Sequence, residues 1–151
     1  MGGILATASL IAGASILGAT PASAATTGTC YTNLPCIYLY YNSSLDGSYI
    51  TIGGGSISNL AGYTFPYAGA GQGLSVKNNA ASAQFRAADT DWTTSMTVFY
   101  NSGYAGPCDQ FKSTALDWKS TNRLGNTYNN DASVKQVAGY QGSHPSGCLN
   151  W

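Results

Sequence analysis

The chain has 151 residues, only 8% of them charged, and its six basic and six acidic side chains give a formal net charge of zero. An ordinary domain carries about 25% charged residues. A neutral chain has no electrostatic attraction for nucleic acid or for an anionic membrane surface, so both classes of partner are excluded. The polar groups on its surface must therefore be mostly Asn, Ser, Thr, Gln and Tyr side chains.

The chain begins with an apolar segment. Residues 4–17 are only Ile, Leu, Ala, Gly, Ser and Thr, and Ala22-Ser23-Ala24 follows as an Ala-x-Ala cleavage signal. We predict a signal peptide over residues 1–24 and a secreted mature protein over residues 25–151. No Lys or Arg precedes the apolar run, which leaves the true start codon open. The alternative is an uncleaved membrane helix, but the stretch is short and glycine-rich for a span of about 20 residues.

Runs of β-branched and aromatic residues predict an all-β chain without a long amphipathic helix. Residues 88–95 form a polar joint between two halves, and residues 115–118 are predicted to form one helical turn. The predicted strands lie near residues 37–42, 48–52, 63–67, 74–77 and 83–87 in the first half, and near 96–101, 108–112 and 133–138 in the second.

Two dissimilar phrases each occur twice. YYNSSLDG at residues 40–47 returns as FYNSGYAG at residues 99–106. Each copy is followed by an Asn-Asn-x-x-Ser phrase, NNAASA at residues 78–83 and NNDASV at residues 129–134. A matched pair of phrases is far harder to obtain by chance than one short motif. The chain is therefore predicted to contain an internal repeat.

Each first phrase predicts a folded hairpin. In the second copy the rings of Phe99 and Tyr104 are expected to pack together across the turn, and Gly106 supplies the positive φ that other residues avoid. The corresponding residues of the first copy are Tyr40, Leu45 and Gly47. Leucine thus replaces the second aromatic ring there.

The pattern aromatic-x4-aromatic-x-Gly followed by Asn/Asp-Asn/Asp-x-x-Ser resembles the double Greek-key βγ-crystallin domain. The segments VKNNAASA, VFYNSGYAG and YNNDAS are similar to a family of small secreted actinobacterial peptidase inhibitors, whose type member is the Streptomyces metalloproteinase inhibitor. The resemblance covers residues 30–137. It implies a βγ-crystallin-like β-sandwich of two Greek-key motifs, over residues 36–87 and 96–138, with a C-terminal tail over residues 139–151.

Four cysteines in a secreted chain predict two disulfides, and three pairings are possible. The resemblance implies a short N-terminal loop closed by Cys30 and Cys36, which leaves Cys108 to pair with Cys148. A zinc site is the alternative, but there is no CxxC pair and His144 is the one histidine of the sequence.

In microbial βγ-crystallin domains, residues that match the Asn-Asn phrases form paired calcium sites. The matching residues here are Asn78, Asn79, Ser82, Asn129, Asn130, Asp131 and Ser133. Calcium binds 6–8 oxygen ligands and needs charged ones for affinity, yet Asp131 is the one acid among them and stands at a position without a specialised role. Two interpretations stay open: a weak site with a Kd of about 10⁻⁴–10⁻³ M, or Asx-turns that close each Greek key. Neither makes a cofactor a requirement.

The sequence predicts that the protein is not an enzyme. A hydrolytic triad needs a nucleophile, a base and an orienting group, but the one histidine lies in a Ser-His-Pro-Ser tail. Paired carboxylates for glycoside chemistry would have to be aspartates, because glutamate is absent. No phosphate-binding or dinucleotide-binding glycine motif occurs.

Three functions are compatible with these observations. The resemblance implies a monomeric secreted inhibitor of peptidases, by its type member of metallopeptidases, which binds a secreted protease through a rigid loop. The loop candidates are residues 106–109 and the Cys30–Cys36 loop. The alternatives are a calcium-binding module with a structural or stress role, and a toxin-like or surface-binding protein. The latter would use tyrosines and Trp92, Trp118 or Trp151 as contact residues.

Overall fold

The computed structural model describes residues 26–138 and 145–151. Its strands are β1 (Thr26–Thr27), β2 (Cys36–Tyr40), β3 (Tyr49–Gly53), β4 (Ser82–Arg86), β5 (Thr94–Asn101), β6 (Ala105–Ser113), β7 (Trp118–Thr121), β8 (Ser133–Ala138) and β9 (Cys148–Asn150). Within these two ranges no helix has the length and apolar character to cross a membrane. The predicted all-β class is confirmed, whereas the predicted signal peptide and His144 lie outside the described residues.

The strands form a sandwich of two sheets. One sheet has the order β1-β3-β2-β4-β7 and the other the order β8-β5-β6-β9, and every pair is antiparallel except β6 with β9. Alternation along each strand turns one set of side chains inward, so Ile37 and Leu39 of β2 are fully buried. Across the interface the rings of Phe85 and Phe111, one from each sheet, lie 6.5 Å apart. The core thus lies between the sheets.

Each half of the chain contributes a segment to the sheet of the other half, a strand in one direction and a single bridge in the other. From the second half, β7 pairs with β4, with Ala83 opposite Thr121. From the first half, Ile57 forms an antiparallel bridge with Val134 of β8, in which the two N–H groups donate to the opposite carbonyls at 2.8 and 2.9 Å. This exchange makes the two Greek keys one interlocked βγ-crystallin-like sandwich, which confirms the predicted fold class.

Two predicted strands and the predicted helical turn take other forms. Residues 63–67 and 74–77 pair only with each other, through a single bridge between Thr64 and Ser75, and join neither sheet. At residues 115–118 the prediction of a helical turn is wrong. Ala115 and Leu116 have φ of 51° and 61°, a left-handed pair that forms a tight turn, and β7 begins at Trp118.

Both predicted hairpins fold over with the same backbone. In each, three left-handed residues occupy matching places: Ser44, Leu45 and Gly47 in the first, and Gly103, Tyr104 and Gly106 in the second. The rings of Phe99 and Tyr104 meet edge to face with centroids 6.2 Å apart, as predicted. Glycine is required at position 47, because a Cβ there would lie 2.9 Å from the Ala70 carbonyl oxygen. In the first hairpin Tyr40 packs against Tyr49 instead, at 5.3 Å.

Both disulfides pair as the resemblance implies. Cys30 is bonded to Cys36, and Cys108 to Cys148. The second bond lies where β6 and β9 run parallel with these two cysteines in register. It therefore holds the C-terminal strand at the edge of the four-stranded sheet. Two disulfides are compatible with an extracellular protein.

Replacing Phe99 by alanine removes a buried ring from the second hairpin and should lower the free energy of unfolding by about 3–5 kcal/mol. Urea unfolding followed by tyrosine and tryptophan fluorescence measures this loss. Tyr100→Ala is the matched control, because the adjacent ring is 42% exposed and its loss should cost about 0.5 kcal/mol or less. Equal losses in the two variants would contradict the packing role of Phe99.

Candidate functional site

The two Asn-Asn phrases lie side by side where the Greek keys meet. The N–H of Asn78 donates to the carbonyl of Asp131 at 2.8 Å, and the N–H of Asn129 donates to the carbonyl of Ala80 at 2.9 Å. Both asparagines are left-handed, with φ of 64° and 53°. Because each phrase bonds the same position of the other, the sequence repeat is also a structural repeat with an approximate two-fold relation.

The serine of each phrase fastens the folded hairpin of its own half. The Ser82 hydroxyl donates to the carbonyl of Asn42 at 2.6 Å and accepts the N–H of Leu45 at 3.0 Å. The same two bonds join Ser133 to Asn101 at 2.7 Å and to Tyr104 at 3.1 Å. Both serines are fully buried. The recurrence of a serine after each hairpin phrase is therefore explained by its two hydrogen bonds to that hairpin.

The second asparagine of each phrase is hydrogen-bonded to the backbone shortly before it. The Asn79 amide donates to the carbonyls of Lys77 at 3.1 Å and Ser75 at 3.0 Å, and the Asn130 amide donates to the carbonyl of Tyr128 at 3.0 Å. In an Asx-turn the side-chain oxygen would instead accept an N–H two residues further on, so these bonds to preceding carbonyls fix each amide locally and do not form Asx-turns. The choice between turns and a weak calcium site therefore stays a prediction.

Asp131 is a buried carboxylate at this junction. Its Oδ1 accepts the N–H of Ala80 at 2.8 Å, whereas its Oδ2 has no hydrogen-bond partner among the residues that the structure describes. Burial raises the pKa of the Asp131 carboxyl well above its usual range, and the backbone N–H groups of Ala80, Asp131 and Asn79, which lower it, do not compensate. Ala80 occupies the same place in the first phrase, so the junction contains a single side-chain carboxyl.

A cleft of about 430 Å³ opens beside the junction. Its polar lining is neutral and comes from Tyr41, Asn42, Ser43, Asn79, Tyr128 and Asn129. In the described ranges no three His, Cys, Asp or Glu side chains are grouped so that they could hold a metal ion. Calcium affinity rises with the number of charged ligands, so a calcium ion held by these neutral oxygens would bind weakly.

A second buried carboxylate, Asp109, anchors the C-terminus and was missed by sequence reasoning. It accepts the N–H of Gly125, the N–H and hydroxyl of Thr127, and the indole N–H of Trp151, at 2.7–3.1 Å. Trp151 also stacks on Phe111 with centroids 6.3 Å apart. These contacts fix Trp151 within the fold. The sequence instead predicts it as a contact residue for a binding partner.

Three loops at one end of the sandwich are tied together by backbone hydrogen bonds. We name residues 30–36, 88–93 and 114–117 the loop cluster. The N–H of Asp89 donates to the carbonyl of Thr32 at 2.8 Å, and the N–H of Ala115 donates to the carbonyl of Thr90 at 3.1 Å. From this cluster project Tyr31, 54% exposed, and Trp92, 59% exposed. The cluster therefore combines a fixed backbone with large exposed aromatic rings.

The other predicted binding loop is not a loop. Residues 106–109 lie within β6, where Val98 pairs with Asp109 and Phe99 with Cys108. Cys108 and Asp109 are buried. This segment is therefore part of the sheet. The disulfide at Cys108 fixes β9 beside it and does not tether a projecting loop.

The strand order, with β7 in the sheet of the first half and Ile57 bridged to β8, defines an all-β protein of the βγ-crystallin class of fold. No protein-family model and no curated protein matches the sequence. Among solved structures, the chain is similar to the crystal structure of the N-terminal domain of Protein S. The two share 21% identity with a TM-score of 0.43, over 68% of this chain and 96% of that one.

The buried carboxyl of Asp131 should make stability depend on pH. Its folded pKa is raised, so the unfolded chain ionises first, from about pH 3.9 upward. The contribution of Asp131 to stability should therefore be greatest below that pH and fall as the pH rises toward the folded pKa. Asp131→Asn keeps an oxygen for the Ala80 N–H without the charge, so the melting temperature of the variant relative to wild type should rise from pH 4 to pH 7.

Thermal unfolding at a series of pH values measures this difference. Asp91→Asn, at an exposed position, controls for the loss of one negative charge. A constant offset between Asp131→Asn and wild type across the series would show that burial of Asp131 has no cost in its charged form.

Proposed function

We propose that the protein is a secreted peptidase inhibitor that acts by binding, as a monomer and without turnover, and that its loop cluster is the surface that the peptidase contacts. The observation that best supports this proposal is the geometry of the Cys30–Cys36 loop, which is exposed yet fixed by a disulfide and by hydrogen bonds to its backbone. The resemblance to secreted metalloproteinase inhibitors supports a metallopeptidase as the target.

The Cys30–Cys36 loop is held rigid by more than its disulfide. Within it, the N–H of Leu34 donates to the carbonyl of Tyr31 at 3.2 Å, a carbonyl that also accepts the Arg86 guanidinium at 2.6 Å. At its C-terminal end the carbonyl of Pro35 accepts the N–H of Gly54 at 3.0 Å. A segment already fixed in one conformation loses little entropy when it binds. That property suits a loop which a peptidase engages but cleaves slowly.

Tyr31 and Trp92 supply the anchors of this surface. Aromatic side chains dominate the binding energy of protein interfaces, because they bury a large area at a low entropic cost. Both rings project from loops whose backbones are hydrogen-bonded to each other through Asp89 and Thr32. We therefore expect a peptidase whose substrate pocket accepts an aromatic side chain.

The two buried acids of the chain make structural contacts away from the proposed contact surface. Asp109 receives four hydrogen bonds from the groups around it, which ties it to the fold. Asp131 lies at the junction of the Greek keys, with Oδ1 bonded to Ala80. Neither belongs to the loop cluster, whose own acids are Asp89, Asp91 and Asp117. Of these, Asp117 is hydrogen-bonded to Ser113 and paired with Lys119.

Inhibition constants against a panel of secreted metallopeptidases and serine peptidases test the proposal. We expect inhibition of at least one metallopeptidase, weakened about tenfold or more by Tyr31→Ala, and by Trp92→Ala to a similar degree. Tyr100→Ala is the control, since it removes an exposed tyrosine ring outside the loop cluster. Absence of inhibition at micromolar protein across the panel would reject the function. Inhibition unaffected by Tyr31→Ala and Trp92→Ala would reject the loop cluster as the contact surface.

The calcium-binding alternative predicts a different response. At about 5 mM calcium, a site with a Kd of about 1 mM would stabilise the fold by about 1 kcal/mol. We therefore expect calcium to raise the melting temperature by no more than about 4 °C relative to the same concentration of magnesium. A much larger rise that Asn130→Ala abolishes would favour the calcium module over the inhibitor.

A further inference from the structure

A row of aromatic side chains crosses the outer face of the five-stranded sheet. Tyr67 stacks on Tyr49 with ring centroids 4.3 Å apart, Tyr49 lies 6.0 Å from Tyr38, and Tyr38 lies 5.9 Å from Trp118. Tyr40 joins the row through Tyr49 at 5.3 Å. We name these five residues the aromatic row.

The strand pattern explains why the row faces outward. In β2 the alternation that buries Ile37 and Leu39 in the core places Tyr38 and Tyr40 on the opposite face. The tyrosines of the row are only partly buried, and Trp118 is 46% exposed. These rings are not needed to fill the space between the sheets.

The row is long and carries little charge. Since the Tyr49 and Tyr38 rings lie 6.0 Å apart and the Tyr38 and Trp118 rings 5.9 Å apart, the rings from β3 to β7 extend over at most about 12 Å. The polar neighbours on this face of the four strands are neutral, among them Gln84 and Ser120, and Arg86 is the one charged residue there. The Arg86 guanidinium lies 6.0 Å from the centre of the Trp118 ring and donates to the carbonyl of Tyr31.

We infer that the aromatic row is a binding face for an uncharged, β-linked polysaccharide. Sugar rings present C–H groups on their faces, which the negative face of an aromatic ring attracts, and hydroxyls at their edges. Tyrosine hydroxyls and the Gln84 amide can exchange hydrogen bonds with those hydroxyls. The length of the row exceeds one sugar ring and therefore suits an extended polymer.

Charge complementarity selects this partner over others. A nucleic acid or an anionic membrane requires a cluster of cations, and this face has only Arg86. An uncharged polymer requires none. This face adjoins the loop cluster through Arg86, which contacts the Trp118 ring and the Tyr31 carbonyl, but it uses none of the rings assigned to the peptidase contact. The inference therefore extends beyond peptidase inhibition and does not depend on it.

Retention on microcrystalline cellulose and on chitin powder tests the inference. We expect wild type to bind at least one of the two, with retention that persists in about 1 M salt because charge contributes little. Trp118→Ala and Tyr38→Ala should each weaken the partition constant about tenfold or more. Tyr100→Ala, which removes a similarly exposed ring outside the row, should bind as wild type does. Melting temperatures confirm that each variant is folded.

Three results would overturn the inference. The first is no retention of folded wild type on either polysaccharide. The second is retention that Trp118→Ala and Tyr38→Ala both leave unchanged, or that about 1 M salt removes, which indicates ionic adsorption. The third is concentration-dependent dimerisation in sedimentation that Trp118→Ala abolishes, which would make a second copy of the chain the partner of this face.

Discussion

The pairing of each half with the sheet of the other is the constraint on which the rest of the structure depends. Neither half of the chain completes its own sheet, since β4 pairs with β7 of the second half and β8 receives Ile57 of the first. A half on its own would leave these strand edges open and its core uncovered. The two Greek keys therefore form one domain that we expect to unfold as a unit.

This interlocking separates a rigid scaffold from the surfaces that it presents. At the junction of the keys, buried serine hydroxyls and the Asn-Asn turns use their hydrogen-bonding groups to hold the hairpins and each other. At the loop cluster, the disulfide and backbone bonds fix the loop between Cys30 and Cys36 while Tyr31 and Trp92 remain exposed. The proposed activities therefore lie on surfaces that the fold supports.

The low charge of the chain affects both its buried acids and its surface. Its two buried acids are accommodated in different ways: Asp109 accepts four hydrogen bonds, whereas Asp131 accepts the Ala80 N–H at Oδ1, has no partner for Oδ2 among the described residues, and has a raised pKa because of its burial. Hydrogen-bond donors stabilise a buried carboxylate, and burial without enough of them disfavours its charge. With so few charges, recognition at the surface must rely on aromatic rings and neutral polar groups.

The sequence by itself determined the strands with a clear alternation, the two folded hairpins and the duplication, because period-two patterns and the positive φ of Gly47 and Gly106 are local properties. Only the tertiary structure decided which groups those elements meet. It assigned the serine hydroxyls to the hairpins, buried Asp131 at the junction, placed residues 106–109 within a strand and aligned aromatic rings from four separate segments into one row. These contacts join residues distant along the chain, and no local pattern specifies which of several compatible partners a polar or aromatic side chain will find.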